Sequence, residues 1–224
     1  MRIASTLPPR LEQIAMSLSE TLKLLKADLL RYAVTDRKTP LPLLLFESVY
    51  RHPSAAGVIY YRFGQCFYQN RRNPLCFLFF FLHVLFYPLI RLYSGVELSP
   101  RAQIGPGLCV MHFGPTVIHP DVVAGKNLTL LHRVTLGYAK SGIPQIGDNV
   151  SIGVGATVIG GILIGDNVSI GAGAVVTKDI PANCTAVGIP ARSIGQKPVT
   201  KEPTQPLDLE HLLGMESILW EIEV

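Results

Sequence analysis

Charge is scarce in this chain. Asp, Glu, Lys and Arg make up 16% of its 224 residues, against 48% hydrophobic ones. That balance excludes a chain disordered by composition and allows a sizeable buried core. Cysteine is sparse too: Cys66, Cys76, Cys109 and Cys184 form no CxxC pair and no disulfide-dense scaffold. Their pattern points to a reducing, cytoplasmic setting. No basic start followed by an apolar stretch opens the sequence, so no cleavable signal peptide is expected. Nucleic-acid motifs are missing. So is an unbroken apolar run of about 20 residues, the length of a membrane span. The longest candidate, residues 75–90, is 16 residues long and contains Pro88.

The charge that is present is uneven. Residues 1–93 hold 12 Lys and Arg against 5 Asp and Glu, and residues 196–224 hold 2 against 6. The basic part either faces an anionic surface or is a solvated helical exterior. Helical periodicity marks residues 11–34, where Leu11, Ile14, Leu18, Leu22, Leu25 and Leu29 share a face. A second short helix is expected over 43–51. A third should begin at Ser54, which follows Pro53 and can cap its first turn. In the 75–90 run His83 is the one clearly polar side chain, among Phe77, Phe79, Phe80, Phe81 and Phe86. Such a helix is either buried in a subunit interface or against the rest of the fold, or it dips into a membrane surface. Arg71, Arg72 and Arg91 flank it as a membrane interface would require. Beyond residue 195 a linker with proline and lysine precedes a leucine- and isoleucine-bearing tail helix.

From residue 95 the pattern changes. Aliphatic positions recur every six residues: Leu98, Ile104 and Val110; then Ile118, Ala124, Leu130 and Leu136; then Ile146, Ile152, Val158, Ile164, Ile170 and Val176. Glycine repeatedly follows them. A step of six is neither helical nor simple strand alternation. It fits a short strand, a sharp turn and a repeat, three of which close one coil of a parallel β-helix over residues 98–176. Two phase slips interrupt it, Val110 to Ile118 and Leu136 to Ile146. The additional residues must loop outward, where function concentrates on a rigid scaffold. The first slip holds His112; the second holds residues 137–144, Gly-Tyr-Ala-Lys-Ser-Gly-Ile-Pro.

Several segments resemble the serine acetyltransferases, a branch of the hexapeptide-repeat acyltransferases. They are Gly95-Val-Glu-Leu-Ser-Pro100, Ala102-Gln-Ile-Gly105, Met111-His-Phe-Gly114, Val134-Thr-Leu-Gly137, Ile146-Gly-Asp-Asn-Val150 and Val187-Gly-Ile-Pro-Ala-Arg192. The likeness covers residues 94–195 and, more loosely, 24–70. It implies an α+β chain: a helical N-terminal region (1–93), a left-handed parallel β-helix (94–195), and a linker with a C-terminal tail (196–224). It implies acetyl-CoA as cosubstrate and a homotrimer, alone or paired as a dimer of trimers. It also implies His112 as general base, with Glu97 standing where the family has an orienting aspartate. Gly153, Val154, Gly155, Ala172 and Gly173 match positions beside the cofactor. Lys178 and Arg192 are either phosphate partners by charge or ordinary surface cations.

The chemistry suits those residue types. An alcohol attacks a thioester only as its proton leaves, and an imidazole near neutrality can take that proton, a contribution of about 10²–10⁴-fold. An acid behind the ring steadies the imidazolium. His132 lies in the repeat and either lines the acceptor pocket or packs. His119, His52, His83 and His211 take structural or exposed roles. Coil histidines lie seven and thirteen apart, unlike the five-residue pair of the zinc-binding gamma-class carbonic anhydrases, so no metal is expected.

Two departures from the family bear on the acceptor. The family's Arg-His-Pro in the second loop is Gly142-Ile143-Pro144 here, and Met111 replaces an aspartate before the histidine. Asp36 stands roughly where a family aspartate meets the serine amino group. The loss of a cation for a carboxylate favours a small hydroxyl acceptor other than serine, such as a sugar or pathway intermediate. Serine acetylation, and a non-catalytic scaffold that binds a membrane or partner, stay open beside it.

Overall fold

A computed structural model describes residues 16–32 and 40–196; the tail and Asp36 lie outside them. Among the described residues, four helices precede a coil of about five turns. Helix α1 (Leu18–Leu29) starts at a capping box: the Glu20 N–H donates to Ser17 Oγ (3.1 Å), and the Ser17 N–H to Glu20 Oε2 (2.8 Å). Helix α2 (Leu41–Arg51) and helix α3 (Pro53–Gln69) each begin near a proline, whose missing N–H costs nothing there. Ser54 does not cap α3 as expected. Its hydroxyl is buried and donates to the Val110 carbonyl at 2.6 Å, a stronger claim than a solvent-exposed cap. Helix α4 (Pro74–Ser94) is capped by Asn73 and ends at Gly95, in the left-handed region at φ 70°. It runs through Pro88 and so extends beyond the 75–90 stretch. Of its residues only His83 and Ser94 are buried; Cys76, Phe80, Tyr87 and Ile90 are half-buried, and the rest of the apolar run is exposed.

The coil has three faces. The first stacks β1 (Val96–Leu98), β4 (Thr116–Ile118), β7 (Thr135–Gly137), β10 (Thr157–Ile159) and β13 (Val175–Val176). The second stacks β2 (Gln103–Ile104), β5 (Val123–Ala124), β8 (Gln145–Ile146) and β11 (Leu163–Ile164). The third stacks β3 (Cys109–Val110), β6 (Thr129–Leu130), β9 (Ser151–Ile152), β12 (Ser169–Ile170) and β14 (Cys184–Gly188), and closes with antiparallel β15 (Ala191–Gln196). The other pairings are parallel and keep register, so the six-step aliphatic positions stack inside: Leu98 on Ile118, Ile118 on Leu136, Leu136 on Val158, Val158 on Val176. The coil matches left-handed β-helices.

The corner from the second face to the third is pinned by two ladders. Asn127, Asn149, Asn167 and Asn183 all adopt φ between 56° and 61°, a conformation asparagine tolerates better than most residues. Their amides chain together at 2.8, 3.0 and 2.9 Å. Asp148 and Asp166 accept backbone N–H groups of the preceding turn, from Lys126 (2.9 Å) and Asp148 (2.7 Å). The coil also extends past the expected end at Val176. After a shortened step Ile180 bridges to Ile164 and Ala186 sits on Ile170.

The first turn has no coil beneath it, and the helices supply its partners. Arg62 and Asp28 form a fully buried pair, Nε to Oδ2 at 2.6 Å. Arg62 also donates to the carbonyls of Ile104 (2.8 Å) and Gly105 (2.7 Å). Asp28 Oδ1 accepts the N–H groups of Gly107 and Leu108, each at 2.8 Å. Tyr32 takes the Val110 N–H at 2.7 Å, and Gln65 and Tyr61 donate to the Ala102 carbonyl at 2.8 and 2.9 Å. Removing one member of a buried, hydrogen-bonded pair strands the other. We therefore expect Arg62→Met to lower unfolding stability by about 3–5 kcal/mol, read as a lower denaturant midpoint, while a substitution in the exposed Arg101–Asp121 pair shifts it by about 1 kcal/mol or less.

Candidate active site

His112 follows β3 at the corner where the third face turns into the first. Its backbone lies at φ 66°, uncommon for a side-chain-bearing residue and better tolerated by histidine than by bulky or branched types. The loop is held from both sides. The Met111 N–H donates to the Leu130 carbonyl at 2.7 Å, and Met111 packs against the core. Gly95 lies against the loop backbone, where an added Cβ would come within 2.9 Å of the Gly114 carbonyl oxygen. The His112 ring is exposed to solvent and meets His132 edge-on, centroids 5.9 Å apart at 88°. His132 Nδ1 is buried without a hydrogen-bond partner among the described residues, a cost that a bound polar group would relieve.

Other expected residues climb the same corner. The Gly155 N–H donates to the His132 carbonyl (3.1 Å), and the Gly173 N–H to the Val154 carbonyl (2.8 Å). His112, His132, Val154, Gly155, Ala172 and Gly173 thus form one column. Gly155 and Gly173 lie at φ 68° and 65°, and a Cβ on either would meet nothing within 4 Å. The column's outer wall is therefore bare backbone facing open space, the surface an extended ligand arm or a neighbouring subunit can approach. Gly153 serves packing instead: a Cβ there would approach the Ala172 nitrogen to 2.6 Å.

The remaining residues lie elsewhere. Glu97 projects outward from β1, and its carboxylate meets Arg91 at 3.2 Å rather than the His112 ring. Arg192 pairs with Val187 in the closing hairpin above the column, while Lys178 stands at the next corner, between Val176 and Ile180. The second slip also lies at that next corner, between β7 and β8. It closes on itself through Ala139 and Gly142 (3.0 and 2.8 Å) and rests on the next turn, where the Gly161 N–H donates to Ser141 Oγ at 3.1 Å. Within one chain the first face separates the two slips. A cavity of about 410 Å³ opens between α3 and the second face, and none of the expected site residues lines it.

His52, for which the sequence suggests a structural role, packs near the base of the column. It is half-buried at the α2–α3 junction, 5.6 Å from the Tyr32 ring, whose hydroxyl holds Val110 two residues before His112. Burial holds its imidazole below the ordinary value, and the charges of His112 and Arg51 push the same way. Nothing in the six-residue repeat could have revealed it, because it belongs to the helical layer.

Residues 143–178 match the family described as "Bacterial transferase hexapeptide (six repeats)". A serine acetyltransferase of Helicobacter pylori is 35% identical over 153 residues, 66% of this chain and 85% of its own. The chloroplastic serine acetyltransferase 1 of Arabidopsis thaliana is 51% identical over 107 residues, but the chain spans only 34% of that relative's length, and 32% of the similar rice protein. The crystal structure of a Neisseria gonorrhoeae serine acetyltransferase in complex with serine superposes with TM-score 0.61 at 32% identity, over 78% of this chain and 69% of that one. The Brucella abortus enzyme superposes with TM-score 0.67 at 28% identity, over 81% of this chain and 72% of that one.

The His52 environment generates a pH prediction. A histidine kept neutral in the fold binds its proton more readily when unfolded. Stability is then intact above the unfolded value near 6.5 and is lost as pH falls toward the lower folded value. Thermal unfolding from pH 8 to 5 should show His52→Gln losing less stability on acidification than the parent. Parallel curves would remove the burial assignment.

Proposed function

Since the chain belongs to the serine acetyltransferase family of hexapeptide-repeat acyltransferases, we propose that it is an acetyl-CoA-dependent O-acetyltransferase whose acceptor is serine. One observation carries the reading: the exposed His112, the partnerless His132 and the bare wall of Gly155 and Gly173 share a single corner column. The acceptor hydroxyl lies at the base of the column and acetyl-CoA extends up it. His112 takes the hydroxyl proton as the oxygen attacks the thioester carbonyl. The C–S bond breaks, and the imidazolium returns the proton to the departing thiolate, leaving free CoA and an O-acetyl ester. His132, whose ring meets His112 edge-on, is our candidate for bonding the acceptor. Glu97 is the positioning acid. Its exposed pair with Arg91, worth about 1 kcal/mol or less, is easily exchanged for the imidazolium. Arg192, on the hairpin above the column, is the nearer of the two cations to a phosphate at the column's top.

A homotrimer, as the family resemblance implies, would bring the two corners together. A site that uses both slips must take them from different chains, because the first face stands between them in one.

Serine as acceptor departs from the non-serine acceptor expected from the second loop alone. Relatives on two sides, bacterial and plant, favour serine. The loop also retains one exposed cation, Lys140, beside its turn at Ala139–Gly142. Lys140 of a neighbouring chain is our candidate partner for the serine carboxylate. The lost Arg-His pair keeps a sugar acceptor as the second reading.

CoA release from acetyl-CoA should proceed with serine and not with homoserine or a panel of sugars. His112→Ala should lower kcat at least about 100-fold, and Lys140→Ala should raise KM for serine about tenfold with kcat little changed. Turnover of a sugar in place of serine would establish the second reading. Full activity in the His112 variant would remove the general base.

A further inference from the structure

Helix α4 touches the proposed acetyl-transfer site only through the exposed Arg91–Glu97 pair, yet among the described elements it is the most apolar. Only 6% of its apolar stretch is buried. Phe77, Phe81, Leu85, Leu89 and Leu92 are 56, 58, 60, 62 and 79% exposed. A contiguous patch of this kind marks an interaction surface. One stripe, with His83 at its centre, is covered by α3: the Tyr60 ring stacks on His83 at 3.9 Å, and the Tyr60 carbonyl lies 3.0 Å from its Nε2. At 100° per residue the exposed apolar positions occupy about two-thirds of the helix circumference. Residues 70–95 contain no Asp or Glu, and Arg71, Arg72 and Arg91 stand exposed at the two ends.

We propose that α4 is a membrane anchor that lies in the plane of an anionic lipid surface, its outward face among the acyl chains and its arginines at the headgroups. Three observations select lipid over a protein partner or a transmembrane span. A helix from a second copy would cover one stripe and leave most of the patch wet. With Arg71 and Arg72 at one end, a parallel pair also opposes like charges, while in an antiparallel pair they would meet Arg91, which Glu97 already partners at 3.2 Å. A bilayer covers the whole exposed arc, and its anionic headgroups complement Arg71 and Arg72. A span, by contrast, would draw in α3, whose Arg62 and Gln65 are fixed to the carbonyls of Ile104, Gly105 and Ala102. An in-plane helix leaves that polar network dry and places the coil above the surface. The inference does not depend on the acceptor or on turnover.

The test is flotation of the full chain with vesicles of phosphatidylcholine mixed with phosphatidylglycerol, and of phosphatidylcholine alone. Binding should be at least about tenfold stronger to the mixed vesicles and weaken with salt. Phe81→Ser/Leu85→Ser/Leu89→Ser should abolish it with acetyl transfer retained. Arg71→Glu/Arg72→Glu, which leaves every apolar contact intact, should remove the preference for anionic vesicles. Several results would overturn the proposal. One is no flotation of the full chain. Another is flotation only after removal of residues 197–224, which would make the tail the occupant. A third is a lipid-indifferent oligomer with α4 amides protected, which would make it a second copy. Undiminished flotation of the triple variant would do the same.

Discussion

The buried Asp28–Arg62 pair solves the problem that a parallel coil cannot solve for itself. Every turn of the coil hands its N–H and carbonyl groups to the turns on either side, but the first turn has a neighbour on one side only. Left dry and unpaired, those groups would cost several times what a single hydrogen bond gains. Asp28 accepts two N–H groups of that turn, and Arg62 donates to two of its carbonyls. Tyr32, Tyr61, Gln65 and Ser54 complete the edge. The helical layer is therefore an end cap for the solenoid. Its charge pair is fully buried because each charge is satisfied by the other and by backbone.

That cap also reaches the chemistry. Tyr32 and Ser54 both bind the backbone of Val110, the last core position before the chain turns outward to His112. The uncommon backbone conformation of His112 is maintained by ties on either side: the helical cap at Val110 and the Gly95–Gly114 contact at the loop's far end. The strain stored at φ 66° is thus borne by neighbours. The column above it inherits its straightness from the register of the third face. The bare wall at Gly155 and Gly173 follows from the same left-handed turn geometry.

The coil was legible in the sequence because its signal is one-dimensional. A stacked aliphatic every six residues must be written six residues apart, and a slip must appear as extra residues. Both slips are outward loops, as extra residues in a regular coil must be. That they lie at different corners was not legible, since it depends on how many steps separate them around the triangle. The shortened step before Ile180 hid the last turn. The end cap was invisible for a different reason. Asp28 and Arg62 belong to helices whose periodicity shows only their apolar faces, and nothing local marks which polar residues will be buried by a tertiary partner. Ser54 reads as a cap in the sequence, but a buried carbonyl has the stronger claim on its hydroxyl. The apolar 75–90 run was legible as unusual, but its exposure could be seen only once α3 was found to cover a single stripe.

The account therefore rests on the helical layer closing the open edge of the coil. Amide hydrogen exchange of Asp28→Asn against the parent measures this most directly. The account predicts loss of protection first at Gly107 and Leu108, then through Val110 into the His112 loop, with the turns from β9 to β14 unchanged. Equal loss along the whole coil, or none at the first turn, would contradict it.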